Sequence, residues 1–429
     1  MFKLSNLILF IMTLVLFSAC ASQPQSIPSN VKAFEAEDRL AIFALYAKSK
    51  GDANSTIALY NTLYERSGKL EYRNEELLMM IQSAQYERAL EKVEAYKDDL
   101  DRDTIDVHLE RFKVLSLIAL KRFDAAKNTA LALVNFTKSA QDYEQCAAIY
   151  MLQSRYEFAL RYLESAYAIN YDEKILDKMS IILYVNLNRK AEALSYLETH
   201  IRLNGCSEMT CMRLASFYSE ENDVEGMLRI YTRLYDNTKD DKYVKTIIKL
   251  YTYKKDTIGL IQFLEKSGAD DAQLLQLYSS TKNYQKVVDL GRKLYKESGD
   301  FYYLGQSAIF EYEGAADKQD KKMIDSVMKK LKKVIEGSGD AVYLNYLGYL
   351  LIDHDIDVLK GIDYVRRALL VDNESPFYLD SLAWGYYKQG KCKEALDLMG
   401  KVRINLGKED PEVSKHVKEI QICIKKKGN

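Results

Sequence analysis

The sequence predicts an all-α fold, an α-solenoid superhelix of about eleven helix-turn-helix repeats closed by a C-terminal capping helix. Three observations carry this expectation. Only four prolines occur in 429 residues and no glycine-rich stretch is present, so long runs of chain are free to stay helical. Between Phe377 and Val402, Leu379, Leu382, Ala383 and Tyr386 fall at the i, i+3, i+4, i+7 spacing of one helix face, Gly390 breaks the run, and Ala395, Met399 and Val402 resume it. This two-helix template returns at intervals of about 34 residues.

Residues 1–19 have the layout of a secretory leader: Lys3, an apolar run from Leu7 to Phe17 broken by Thr13, then small Ser18 and Ala19. The run is shorter than the roughly 20 apolar residues that span a bilayer. Residues 20–33 start at Cys20 and continue through SQPQSIPSN, a polar, proline-bearing tether. Residues 34–300 hold the N-terminal and central repeats. There the small residue opening each second helix recurs as Ala89, Ala126, Ala159 and Ala193, with Tyr86, Phe123 and Tyr156 three places before it in three cases. Met227, Leu260 and Val287 stand at that place in weaker copies. Residues 301–340 form a divergent repeat with an insertion that includes the charged run DKQDKK. Residues 341–404 hold two well-matched repeats, Leu347-Gly348 and Ala368 in one answering Leu382-Ala383 and Val402 in the other. Residues 405–429 contain PEVSKHVKEIQICI, opened by Asp410 as a helix cap and Pro411 at the first helical position, which gives the capping helix and tail.

This period and pattern resemble the tetratricopeptide repeat, and Phe17-Ser18-Ala19-Cys20 resembles a bacterial lipobox. The second resemblance implies cleavage before Cys20 and acylation (palmitate) at it, and Ala21 after the cysteine implies the outer membrane, facing the periplasm. The stretch from Asn345 to Met399 further resembles the carboxy-terminal repeats of large proteobacterial tetratricopeptide lipoproteins, among them an adaptor that brings cell-wall hydrolases to a carboxy-terminal processing protease. The implied function is a membrane-anchored adaptor or scaffold for protein partners of the cell envelope. A structural part of a flagellar motor, secretion apparatus or outer-membrane biogenesis complex is the alternative. A peptidoglycan-active enzyme ranks third, since the repeats leave no room for an appended catalytic domain.

Other chemistry is not expected. A net charge of −1 lacks the basic surplus of a nucleic-acid binder. GYYKQGKC, Gly385 to Cys392, looks like a phosphate loop, but a helical pattern precedes it and Cys392 stands where a hydroxyl should hold magnesium, so no nucleotide is expected. Asp353, Asp355 and Asp357 are followed by Val358 and Tyr364 where a calcium loop needs glycine and glutamate. His108, His200, His354 and His416 are scattered, and no hydrolase or metalloprotease motif occurs, so neither catalytic residues, metal nor cofactor are predicted.

In an antiparallel array the end of one helix lies beside the start of the helix before it, which places Cys423 near Cys392 in an oxidising compartment. Cys206 and Cys211 are spaced either to close a small loop or simply to pack, while Cys146 falls on a buried face. The tetratricopeptide resemblance implies that first helices line a groove. On that register Phe377, Asp380, Trp384, Tyr387 and Lys388, with Asn345, Tyr349 and Ile352 from the preceding unit, either face a partner or pack against an inserted loop or the capping helix. The same register places Lys242, Lys245 and Lys249 on a groove stripe, either solvated or suited to an acidic segment.

Overall fold

The computed structural model describes residues 31–100, 105–406 and 411–427. Among them the backbone forms twenty-three α-helices and no strand. In chain order they are α1 (Glu37–Ser49), α2 (Ala53–Ser67), α3 (Leu70–Gln82), α4 (Tyr86–Asp98), α5 (Val107–Ala119), α6 (Phe123–Thr137), α7 (Ala140–Leu152) and α8 (Tyr156–Asn170). Next come α9 (Glu173–Ile181), continued by a π-helical turn over Ile182–Asn186, α10 (Lys190–Asn204), α11 (Glu208–Glu220), α12 (Val224–Thr238), α13 (Asp241–Lys254), α14 (Thr257–Ser267), α15 (Asp271–Ser280) and α16 (Tyr284–Ser298). The last are α17 (Phe301–Glu313), α18 (Lys321–Ser338), α19 (Ala341–Asp353), α20 (Val358–Leu369), α21 (Pro376–Lys388), α22 (Cys392–Leu406) and α23 (Pro411–Lys427). The first twenty-two make eleven consecutive hairpins of the tetratricopeptide type, and α23 follows alone. The chain divides into two compact units, Met1–Tyr243 and Val244–Asn429, a division inside α13 that no shift of composition marks. The leader, Cys20 and the cap residue Asp410 lie outside the described residues.

Ten of the eleven hairpins reverse on a single left-handed residue, and α17 and α18 are joined by the longer inserted segment instead. Gly51, Ala84, Lys121, Ser154, Asn188, Asn222, Lys255, Lys282, Asp355 and Gly390 all have φ between +52° and +75° in the turn between the two helices of a repeat. Only two of them are glycine, and an L side chain in this region is held against its local preference. Lys121→Gly and Lys282→Gly, both at exposed positions, are therefore each expected to raise stability by about 0.5–1 kcal/mol, read as a higher urea midpoint at unchanged m-value.

The small residue of the repeat works by close approach. Ala89, Ala126, Ala159 and Ala193 are all fully buried. In the copies where Met227 and Leu260 take that place, the close contact has moved one residue earlier. A Cβ on Gly226 would meet the Tyr218 ring at 2.6 Å, and one on Gly259 the Tyr251 ring at 2.6 Å. Asp223 and Asp256 accept hydrogen bonds from the N–H groups of these glycines, both at 2.8 Å, and so cap their helices.

Across repeats, the first unit is tied by ion pairs at nearly the repeat spacing: Arg73 to Asp106 (2.7 Å), Arg111 to Asp142 (2.7 Å), Lys178 to Glu144 (2.6 Å) and Arg213 to Asp177 (2.5 Å). Asp142 is fully buried. Burial by itself would raise its pKa, but hydrogen bonds from Arg111, Thr137 and Ser139 outweigh it and hold the carboxyl below its ordinary value. A depressed carboxylate adds stability above the unfolded pKa of about 4 and loses it as pH falls through the folded one. Asp142→Asn is expected to flatten that part of the acid limb when urea midpoints of the full chain are compared between neutral and acid pH.

In the second unit α19 and α20 touch backbone to backbone: a Cβ on Gly348 or on Gly361 would lie 2.7 Å from the other's carbonyl oxygen. The phosphate-loop look-alike resolves in the same terms. Gly385 lies within α21, where a Cβ would come 2.6 Å from Ile362, and Gly390 turns the chain at φ +75°. The final helix α23 packs on both α21 and α22, the place a first helix of another repeat would take. It buries Val413, Val417 and Ile420 against Leu379, Ala383, Ala395, Met399 and Val402. A disulfide joins Cys423 on α23 to Cys392 on α22, with Cα atoms 6.0 Å apart. In the first unit a second one joins Cys206 to Cys211, Cα atoms 5.6 Å apart, and Cys146 is a buried free thiol.

Candidate functional site

Within the second unit, α17, α19, α21 and α23 enclose a pocket of about 380 Å³. Three tyrosines form much of its wall. Tyr346 and Tyr349 lie three positions apart on α19, on one face of the helix, and Tyr312 comes from the end of α17. Their hydroxyls are engaged: Tyr346 donates to Glu313 at 2.6 Å, Tyr349 donates to Glu412 at 2.7 Å, and Tyr312 shares a 3.0 Å hydrogen bond with His354 Nε2. Burial, reinforced by Asp353, Glu313 and Glu412, pushes the Tyr312 hydroxyl up to about 12. Burial and then neighbouring carboxylates raise Tyr346 and Tyr349 as well. All three hydroxyls remain neutral at physiological pH.

The inserted segment after α17 adds a cation. Lys318 donates to the backbone carbonyl of Tyr312 and its Nζ sits 4.3 Å from the centre of the Tyr312 ring. Asn345 contributes a buried Oδ1 that has no hydrogen-bond partner. Phe377 lines the pocket while 62% exposed.

Of the residues the sequence singled out, the pocket brings together Asn345, Tyr349, Phe377 and Asp380. Trp384 requires a correction: it is 5% exposed and faces protein. The His416 ring of α23 stacks on it at 4.1 Å, Tyr387 stacks at 4.7 Å, and its indole N–H donates to Asp353 at 3.0 Å. The physical reason is the capping helix, which covers the end of the groove that the repeat register alone leaves open. Asp380 is largely turned to this interior too, 9% exposed with its carboxylate 3.0 Å from His416 Nδ1. Tyr387 is half-buried beside Trp384, and Lys388 pairs with Asp355 at 2.6 Å. Ile352 is fully buried.

The lysine stripe falls on both sides of the division between the units. In the first, Lys242 is paired with Glu208 at 2.8 Å and with Asp240 at 3.3 Å. In the second, Lys245 and Lys249 are exposed. The DHDID segment is used structurally: Asp353 holds Trp384, Asp355 holds Lys388, and Asp357 accepts from the Lys360 N–H at 3.0 Å as a helix cap. Among the described residues no group of His, Cys, Asp and Glu is arranged to hold a metal ion.

Tyr312, Glu313, Lys318, Tyr346 and Glu412 in the lining, and His416 behind it, were not singled out as site residues from sequence. His416 and Glu412 carried a signal only as residues of a capping helix, and Lys318 only as part of a charged insertion.

The fold and pocket define an all-α tetratricopeptide-like repeat protein with a capping helix that shapes its last groove. No family model matches the chain, and no curated protein matches it in sequence. Solved structures similar to it include the APC/C hetero-tetramer Cut9-Hcn1, at 12% identity over 92% of this chain and 91% of that one, with a TM-score of 0.37. Naa15/Naa10 bound to HypK-THB is similar at 15% identity over 89% of this chain and 60% of that one, TM-score 0.34. The TPR domain of P58(IPK) is similar at 13% identity over 75% of this chain and 99% of that one, TM-score 0.30.

Proposed function

We propose that this chain is a lipid-anchored, periplasm-facing scaffold of the bacterial outer membrane that binds proteins, in the specific form of an adaptor between a processing protease and its cell-wall hydrolase substrates. The observation that carries the binding part is the pocket of the second unit, where exposed Phe377 and three tyrosine rings stand beside carboxylates and a lysine. Aromatic groups ringed by polar ones are the composition of interaction hot spots. The anchoring part rests on Phe17-Ser18-Ala19-Cys20 and the lipobox they resemble. The adaptor form rests on the resemblance of the last two repeats.

Copurification from mildly solubilised envelopes tests the reading. A protease together with hydrolases is the expected recovery. Motor or secretion proteins in their place would make the chain a structural component, and turnover of peptidoglycan by the purified chain alone would overturn the scaffold.

A further inference from the structure

Resting on the protein-binding reading, we infer that the pocket of the second unit receives a basic side chain, arginine or lysine, from the partner. Its lining holds the carboxylates of Glu313, Asp380 and Glu412 against the single ammonium of Lys318, which lies 3.8 Å from Glu313, while Asp380 is turned to His416, so Glu313 and Glu412 carry the charge that faces the opening. An incoming carboxylate would meet repulsion, and it would find the hydroxyls of Tyr346 and Tyr349 already donating to Glu313 and Glu412. An incoming cation meets carboxylates and ring faces, and behind them Asn345 keeps a buried Oδ1 that has no donor.

The chain itself demonstrates the mode. Lys318 reaches in from the insertion, lays its ammonium over the Tyr312 ring and donates to a carbonyl at the pocket wall. This is how a guanidinium or ammonium is held by tyrosine where water is partly excluded. Lys318 stands on a short loop between α17 and α18, so it can yield the ring to a second cation. The insertion thus supplies an internal competitor, and the partner's basic side chain displaces it.

The test is calorimetric titration of the full chain with four capped tripeptides that carry arginine, lysine, glutamine or glutamate between two glycines. The arginine and lysine peptides are expected to bind at least about tenfold more tightly than the glutamate peptide. Glu313→Gln and Glu412→Gln are each expected to weaken arginine-peptide binding about tenfold, and Lys318→Ala to tighten it about threefold. Unchanged far-UV circular dichroism and urea midpoints show that each variant is folded. Equal binding of all four peptides, preference for glutamate, or indifference of the arginine peptide to all three substitutions would overturn the inference. If the Glu313→Gln, Glu412→Gln chain still captures its envelope proteins while the peptide series is flat, the pocket assignment fails and the scaffold stands. If the peptide series behaves as expected but the wild-type chain captures no envelope protein, the scaffold reading fails and the pocket chemistry stands.

Discussion

Replacing Trp384 by alanine is expected to destabilise the second unit by about 3–5 kcal/mol, a loss visible as a large fall in urea midpoint. The indole is 5% exposed, and the substitution would empty a space bounded by His416 and Tyr387 and leave Asp353 without its donor. Loss of the buried donor adds to the cavity cost. Trp384→Phe keeps most of the ring volume and loses only the N–H, so its cost should be about 1–2 kcal/mol. Phe377→Ala, on a side chain 62% exposed, should change stability by less than about 0.5 kcal/mol. The contrast separates two aromatic residues that occupy neighbouring places on one helix register. One builds the fold, and the other is available to a partner. Equal, small effects of the two substitutions would show that α23 does not cover the tryptophan.

Loss of the Cys392–Cys423 disulfide is the second large effect expected. It closes a loop of sequence separation 31 and ties the last helix to its neighbour. On the chain-entropy account such a cross-link contributes about 3–4 kcal/mol, and Cys392→Ser with Cys423→Ser should remove it. The readout is built into the chain, because Trp384 is the only tryptophan. When α23 frays, His416 leaves the indole face, and emission should shift to the red at denaturant concentrations where the disulfide-bonded protein remains blue. Cys206→Ser with Cys211→Ser opens a loop of separation only 5 in the other unit, costs about 2 kcal/mol on the same account, and should leave the native tryptophan signal unmoved. A red shift from the Cys206–Cys211 variant, or none from the other, would contradict this assignment of roles.

The repeat was legible because its defining residues are constrained by local geometry. Ala89, Ala126, Ala159 and Ala193 are small because a helix crosses there, and their spacing is visible without knowing the partner helix. Where the close contact slid to Gly226 and Gly259, the pattern weakened although the packing did not. The π-helical turn at Ile182–Asn186, where Tyr184 stacks on Phe217 at 3.9 Å, left no comparable mark. At the site, Asn345, Tyr349, Phe377 and Asp380 could be placed on one face because each follows from repeat register. Cover of Trp384 by the capping helix was one of two open readings, but the residue that supplies it could not be placed, since His416 lies on another helix 32 residues downstream and a lone histidine has no register of its own. Lys318 was hidden for the opposite reason: an insertion is by definition outside the repeat, so its reach to Tyr312 is a tertiary fact.

The most direct measurement places a photo-crosslinking phenylalanine analogue at Phe377, which lines the pocket, and in a second chain at Leu359, which is 72% exposed on α20 and does not line it. In envelopes, the chain labelled at Phe377 should form discrete protein adducts that excess arginine tripeptide suppresses, and the chain labelled at Leu359 should not. Adducts from Leu359 with none from Phe377, or Phe377 adducts indifferent to the peptide, would contradict the account that this pocket is where a partner's basic side chain enters.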